Sequence, residues 1–380
     1  MKIHRIVIAS DSFKGCLNSA QVNAAIASGV AGVLPDADVV SLPVADGGEG
    51  TVEALGSALG GSMIDAEVHN PLGSPVRARY AIDAAAETAV IEMAQASGLP
   101  LVEKELRNPL ETNTYGVGEL IADALGLGCR RILVGLGGSA TNDGGAGMLS
   151  ALGYRFIDAE GRTIDRPRGG NLGDIRSIDS SGADPRLASA EFILACDVTN
   201  PFTGPDGASQ IFGPQKGADA AAVARLDAGM ENLARVYERT FGRDIISVPG
   251  SGAAGGLAGG FIAAFGARVR PGVDMVLDAV GFDSALDGAD LVITGEGRLD
   301  SQTAMGKTPA GVLRRARARN IPVVAFGGAI EDADALCAAG FAAVLCIQNS
   351  PLSLAEAMEP ARAAEGLRNA AAQMVRLIAL

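Results

Sequence analysis

Thirteen residues at 135–147, GLGGSATNDGGAG, combine six glycines with four small polar side chains, Ser139, Thr141, Asn142 and Asp143. They follow a short apolar run and lead into helix-compatible sequence. Successive glycines let backbone N–H groups approach an anion, and a following helix would add its N-terminus. Phosphate suits this composition best, held by the main chain at Gly137 and Gly138 with donors from Ser139, Thr141 and Asn142. Asp143 would cap the helix or reach a metal ion. A plain strand-to-helix turn with glycines for packing is the bland alternative. The residues also satisfy a relaxed G-x-G-x-x-A dinucleotide pattern through Gly135, Gly137 and Ala140. That pattern wants an acid at the end of the next parallel strand, and the nearest, Asp158, falls by an expected hairpin tip instead.

Further chemistry-bearing residues lie in loops that follow apolar, strand-like runs. SDSFKG offers Asp11, Ser12 and Lys14, and ADGGEGT offers Asp46, Glu49 and Thr51. TGEGRLDSQTAMGKTP, residues 294–309, brings Glu296, Arg298, Asp300, Gln302 and Lys307 close in sequence. Its GKT resembles the tail of a P-loop, but Ser301 stands where that pattern needs glycine. Three charged loops at one edge of a parallel sheet would converge on a single crevice. FILACD delivers Asp197 to the end of an apolar strand, the rigid setting a base or metal ligand requires. Lys216, in GPQKGA, is either a phosphate cation or an exposed side chain. His4 and His69 are the only histidines and sit before a strand and in a turn, so a proton acceptor here is a carboxylate.

The elements that must position these residues follow from apolar periodicity. RIVIAS, DVVSLPV, DLVITGEG, IPVVAFGG and AAVLCIQ alternate with helical stretches, which predicts a doubly wound parallel sheet built from both chain ends. In the middle, VRARYAID with TAVIEMA reads as an antiparallel pair. YRFIDAEGRTI reads as a hairpin with its tip at 159–161, and GSGAAGGLAGGFIAAF as a glycine-softened helix. The expected organisation is therefore a discontinuous α/β domain of residues 1–66 and 285–380, with a mixed-sheet α/β domain inserted at 67–284.

Composition limits the rest. The 380 residues are 48% hydrophobic and 20% charged, with 51 glycines, as in a globular enzyme. A net charge of −13 disfavours nucleic acid and anionic membrane as partners, so an anionic ligand must be held locally. Five scattered cysteines without a C-x-x-C pair suit a reducing cytoplasm. The sequence leaves open whether copies of the chain form a homo-oligomer.

Taken in order, IASDSFKG, ADGGEGT, GLGGSATNDGGAG, CDVTNPFTGPDGASQIFGPQKGA and TGEGRLDSQTAMGKTP resemble the bacterial glycerate kinase family of the type that includes the glycerate 2-kinases. The resemblance spans essentially the whole chain. It implies a flavodoxin-like (Rossmann-like) domain carrying an inserted α/β domain, and phosphoryl transfer from Mg-ATP to D-glycerate. The product would be 2-phosphoglycerate or, in some members, 3-phosphoglycerate. On that reading Gly137, Gly138, Ser139, Thr141 and Asn142 hold ATP, while Asp11, Ser12, Glu296, Arg298 and Asp300 surround glycerate. Arg298 or Lys14 takes its carboxylate, with Lys14 also in the catalytic set. Asp197 or Asp46 accepts the hydroxyl proton, Asp197 preferred, and Asp46 helps hold Mg2+. A nicotinamide-dependent hydroxy-acid oxidoreductase is the alternative from another class. A homoserine- or mevalonate-type kinase and a non-catalytic metabolite-binding regulator are weaker readings.

Overall fold

The computed structural model describes the chain except residues 1–2, 46–49, 53–55, 57–60, 84, 86, 301–302, 304–306 and 380. In chain order its strands begin with β1 (Arg5–Ile8) and β2 (Asp38–Ser41). The middle of the chain supplies β3 (Ser62–His69), β4 (Pro75–Asp83), β5 (Thr88–Glu92), β6 (Arg131–Gly135), β7 (Arg155–Ile157), β8 (Ser177–Asp179), β9 (Glu191–Ala195) and β10 (Arg268–Arg270). The last are β11 (Leu291–Leu299), β12 (Val323–Ile330) and β13 (Ala343–Cys346).

The chain divides into two compact units. One comprises Met1–Asp46, Glu53–Leu59 and Pro271–Leu380, and the other Gly47–Val52 and Gly60–Arg270. In the first, five parallel strands lie in the order β2-β1-β11-β12-β13. Counted within the unit that order is 2-1-3-4-5, the flavodoxin arrangement, whose direction of winding reverses between β1 and β11. Strands buried on both faces must be apolar throughout, and Ile6, Val7, Ile8, Val292 and Ile293 are fully enclosed. The helix Ser19–Ala31 starts at Asn18, which exchanges hydrogen bonds with Gln21 in a capping box. Its Val22, Ile26 and Val30 share one core with Leu367, Ala371 and Val375 of the C-terminal helix Pro360–Ile378.

The second unit has a mixed sheet in the order β10-β9-β6-β5-β4-β3, parallel from β10 to β5 and antiparallel beyond. β4 and β5 are the antiparallel pair expected from VRARYAID and TAVIEMA. β7 turns back near Gly161 and pairs with β8 in a separate two-stranded ribbon. No parallel strand therefore follows β6 to carry Asp158, and a dinucleotide site of the expected form is not built.

Three expectations need correction. A boundary at 66/67 would cut through β3, every residue of which pairs with β4 in the second unit. A boundary at 284/285 would detach the helix Gly272–Ala279 from the first unit, where Asp274 receives Arg314 and Arg315. The glycine-softened helix is shorter than its pattern, running only over Leu257–Phe265. Ahead of it, Gly250, Gly255 and Gly256 have positive φ, and turns replace helix over 250–256.

Candidate active site

In the first unit the reversal of winding between β1 and β11 leaves a crevice position at the strand ends, the usual ligand site of open parallel sheets. The chain leaving β1 stays alongside β11, with Ala9 and Asp11 donating N–H to the carbonyls of Ile293 and Gly295. Thr294 Oγ1 returns a bond to the Ala9 carbonyl at 2.7 Å. Asp11 is buried, and its two oxygens accept from the Ser12 N–H at 2.7 Å and from Thr308 Oγ1 at 2.6 Å. Asp11 and Ser12 are thus not a helix cap, since Asn18 does that work. Ser10 is held by Asn23 and Ser19 of the first helix, and Ser19 Oγ also accepts from the Val44 N–H beyond β2.

Beyond β11, the described residues Asp300, Thr303 and Lys307 lie near Glu296. Thr303 Oγ1 donates to Glu296 Oε1 at 2.5 Å and accepts from the Asp300 N–H at 2.9 Å. Lys307, at the N-cap of the helix Thr308–Arg317, holds its ammonium 3.6 Å from Glu296 Oε2 and 3.8 Å from Asp300 Oδ1. At the switch point Asp11 bonds Thr308, and Glu296, Thr303, Asp300 and the Lys307 ammonium form a second cluster. A positive charge sits inside it, and a small anionic ligand has a local cation despite the net charge of the chain.

Arg298 lies at the edge of this cluster, its Nε 3.8 Å from Asp300 Oδ2. Its guanidinium is 62% exposed and donates to Glu331 at 2.5 Å, an ion pair that raises its pKa further. Register explains the diversion: Arg298 lies opposite Ala329 on β12, and Glu331 follows two residues later. Lys14 is exposed on the tight turn where Phe13 bridges Leu17. Of the three charged loops expected at one edge, two come together; Asp46 and Glu49 of the third lie outside the described residues.

In the second unit the glycine-rich segment follows β6, between parallel neighbours β5 and β9. Gly137 and Gly138 are exposed, Gly138 with φ of 75°, and Ser139 bridges Gly98. Thr141, Asn142 and Asp143 are fully enclosed. Asn142 Nδ2 donates to Ser209 Oγ, and the Thr141 carbonyl accepts from Lys216 Nζ at 2.6 Å. Thr141 and Asn142 thus turn their side chains into the protein, not outward as phosphate donors. Asp143 is likewise committed: it accepts from the Thr114 N–H and Oγ1, the Gly145 N–H and the Gly147 N–H. Burial pushes its pKa up, and those four bonds oppose the shift. It ties together helix starts rather than reaching for a metal.

Asp197 stands two residues beyond β9 and is exposed. Among the described residues no three His, Cys, Asp or Glu side chains are grouped to hold a metal ion. Mg2+ commonly binds one or two carboxylates and completes its shell with phosphate oxygens and water. The oxygen donors at the switch point fit that more modest demand. The sequence named Lys307 without giving it a role, and it did not single out Thr303 and Thr308. A signal was present in GKTP, where lysine precedes a helix with proline in its first turn.

A flavodoxin-order sheet with a charged switch point, joined in one chain to a mixed α/β unit bearing a glycine-rich turn, defines a two-unit α/β enzyme class. The model of the glycerate kinase family matches residues 6–379. Glycerate kinase of Bacillus subtilis (strain 168) is 48% identical over 94% of both chains. Glycerate 2-kinase of Escherichia coli (strain K12) is 48% identical over 86% of both. A crystal structure described as glycerate kinase 2 from Salmonella typhimurium LT2 superposes with a TM-score of 0.89 at 44% identity. It covers 100% of this chain and 99% of its own. The chain belongs to the glycerate kinase family and is a kinase. The oxidoreductase alternative finds no support in these relatives or in the fold. Among the described residues no helix is long and apolar enough to cross a membrane.

Proposed function

We propose that this enzyme transfers the γ-phosphoryl group of ATP to the 2-hydroxyl of D-glycerate, giving 2-phosphoglycerate and ADP. The observation that carries the substrate and the regiochemistry is the 48% identity with the Escherichia coli glycerate 2-kinase over 86% of both chains. The hydroxyl oxygen forms the new P–O bond, the bond to the ADP oxygen breaks, and the hydroxyl proton passes to a carboxylate. Asp197 and Asp46 remain the candidates for that carboxylate. Mg2+ would neutralise charge on the phosphates, with Asp46 and the switch-point carboxylates as its candidate protein ligands.

Phosphoryl transfer depends mainly on positioning and charge neutralisation. The main chain of Gly137, Gly138 and Ser139 receives nucleotide phosphate, a role supported by the exposure of the two glycines after a strand. Lys307 replaces Arg298 as the partner of the glycerate carboxylate, because Arg298 is bound to Glu331 at 2.5 Å whereas Lys307 stands 3.6 and 3.8 Å from its carboxylates. Asp11, Glu296 and Asp300 orient the hydroxyls, and Glu296 and Asp300 hold Lys307 in place. Incubation with Mg-ATP and D-glycerate, followed by phosphorus NMR, tests the reading. The expected product is 2-phosphoglycerate. A 3-phosphoglycerate signal would establish the other regiochemistry, and unchanged ATP would refute the reading.

A further inference from the structure

Lys216 has no part in the reading above, and its setting is unusual. It closes the short helical turn Pro214–Lys216 and is 1% exposed. Burying an ammonium is costly unless its surroundings compensate, and an apolar side chain of similar length would avoid that cost. Among the described residues its single hydrogen-bond acceptor is the Thr141 carbonyl, at 2.6 Å, which leaves two of its protons without an acceptor. The same turn holds Thr141 Oγ1 and Asn142 Oδ1, both buried and without a hydrogen-bond partner among the described residues. The loop at 250–256 covers the turn from the other side. Gly144 donates to the Gly255 carbonyl, and a Cβ at Gly255 would stand 1.9 Å from the Thr141 carbonyl oxygen. The peptide after Thr141 is thus gripped between an ammonium and a bare stretch of backbone.

We propose that Lys216 is a positioning residue for nucleotide binding: through the Thr141 carbonyl it sets the path of the main chain at 137–141, and its charge favours a phosphate bound on that main chain. The inference rests on the reading that this turn takes nucleotide phosphate. Asp143 is the charge acting on Lys216 from the turn. Tyr237, on the helix Ala220–Phe241, is held protonated by burial and by that same carboxylate, and its hydroxyl donates to the Gly144 carbonyl. Burial lowers the Lys216 pKa to about 7, with Asp143 opposing. An anion bound on the turn would favour the charged form, so ATP binding above neutrality draws a proton onto Lys216.

The test is calorimetry of Mg-ATP binding to the whole enzyme, without glycerate, in two buffers of different ionisation enthalpy. Wild type should take up little at pH 6, where Lys216 is already charged, and more than half a proton at pH 8. Lys216→Met should lose the uptake at pH 8 and weaken ATP at least tenfold, leaving the KM for glycerate within twofold. Lys216→Gln, which keeps a donor but no charge, should recover part of the affinity and none of the uptake. ATP affinity within twofold of wild type in folded Lys216→Met would overturn the proposal. So would proton uptake in wild type that is the same at pH 6 and pH 8, a measurement that decides the matter even if neither variant folds. Failure of the wild type to bind ATP at all would instead refute the functional reading on which the proposal rests.

Discussion

At the scale of single residues, Lys307 and Arg298 offer a direct comparison. Both cations follow from the same loop in sequence and both approach Asp300, yet Lys307 also faces Glu296 whereas Arg298 is exposed and bound by Glu331. Lys307→Ala should raise the KM for glycerate at least tenfold with the KM for ATP within twofold. Arg298→Ala should change either by less than threefold, because an exposed ion pair contributes little. Steady-state kinetics checks both, and the reverse ranking would reinstate the arginine. Lys216 adds a stability prediction. Its folded pKa, about 7, lies below the ordinary lysine value, so the unfolded chain binds more protons between about pH 7 and pH 10.4. Stability from this group therefore rises with pH across that window, by at most ~1.4 kcal/mol per unit. The stability of wild type relative to Lys216→Met should climb from pH 7 to pH 10 in urea unfolding. A constant difference would show that the lysine titrates normally.

At the scale of elements, the glycine-rich turn depends on the loop that lies against it. Gly255 has φ of 66°, and any Cβ there would meet the Thr141 carbonyl oxygen and the Asn142 Cα. Gly255→Ala should cost about 2 kcal/mol or more, from strain and from displacement of the turn, and should weaken ATP binding as well. Denaturant unfolding with calorimetry measures both effects. Unchanged stability would mean that the two segments do not constrain one another. The composition of 250–265 predicts helix throughout, and only the helix Leu257–Phe265 forms. Propensity is local, whereas the main chain of 141–144 claims the preceding glycines for a turn that no other residue type could make so closely.

At the scale of the molecule, two cores are built separately. One gathers Ile6, Ile8, Val22, Ile293 and Leu367, and the other Ile91, Leu120, Val134, Phe156 and Phe261. The proposed division of labour assigns nucleotide phosphate to the second unit and glycerate to the first. Hydrogen exchange by mass spectrometry should then report protection by Mg-ATP over 135–147 and by D-glycerate over 9–12 and 294–300. At ligand concentrations near 100 times Kd, up to about 2.7 kcal/mol of stabilisation is available to slow that exchange. Protection by both ligands confined to one unit would overturn the assignment.

The sequence by itself determined the alternation of strand and helix, the antiparallel edge of the second sheet and the strand ends that carry charge. These depend on periodicity and apolar content, which are properties of contiguous residues. It also contained the ordered blocks that resemble the glycerate kinases. Tertiary structure alone decided which charges meet. Asp11 finds Thr308 across 297 positions, and Arg298 loses its place through the register of β11 against β12. Lys216, read as a phosphate cation or an exposed side chain, is enclosed because the turn it bonds lies 75 positions earlier. Hydrogen-bond partners and burial are set by chain packing across such separations, and local pattern does not encode them.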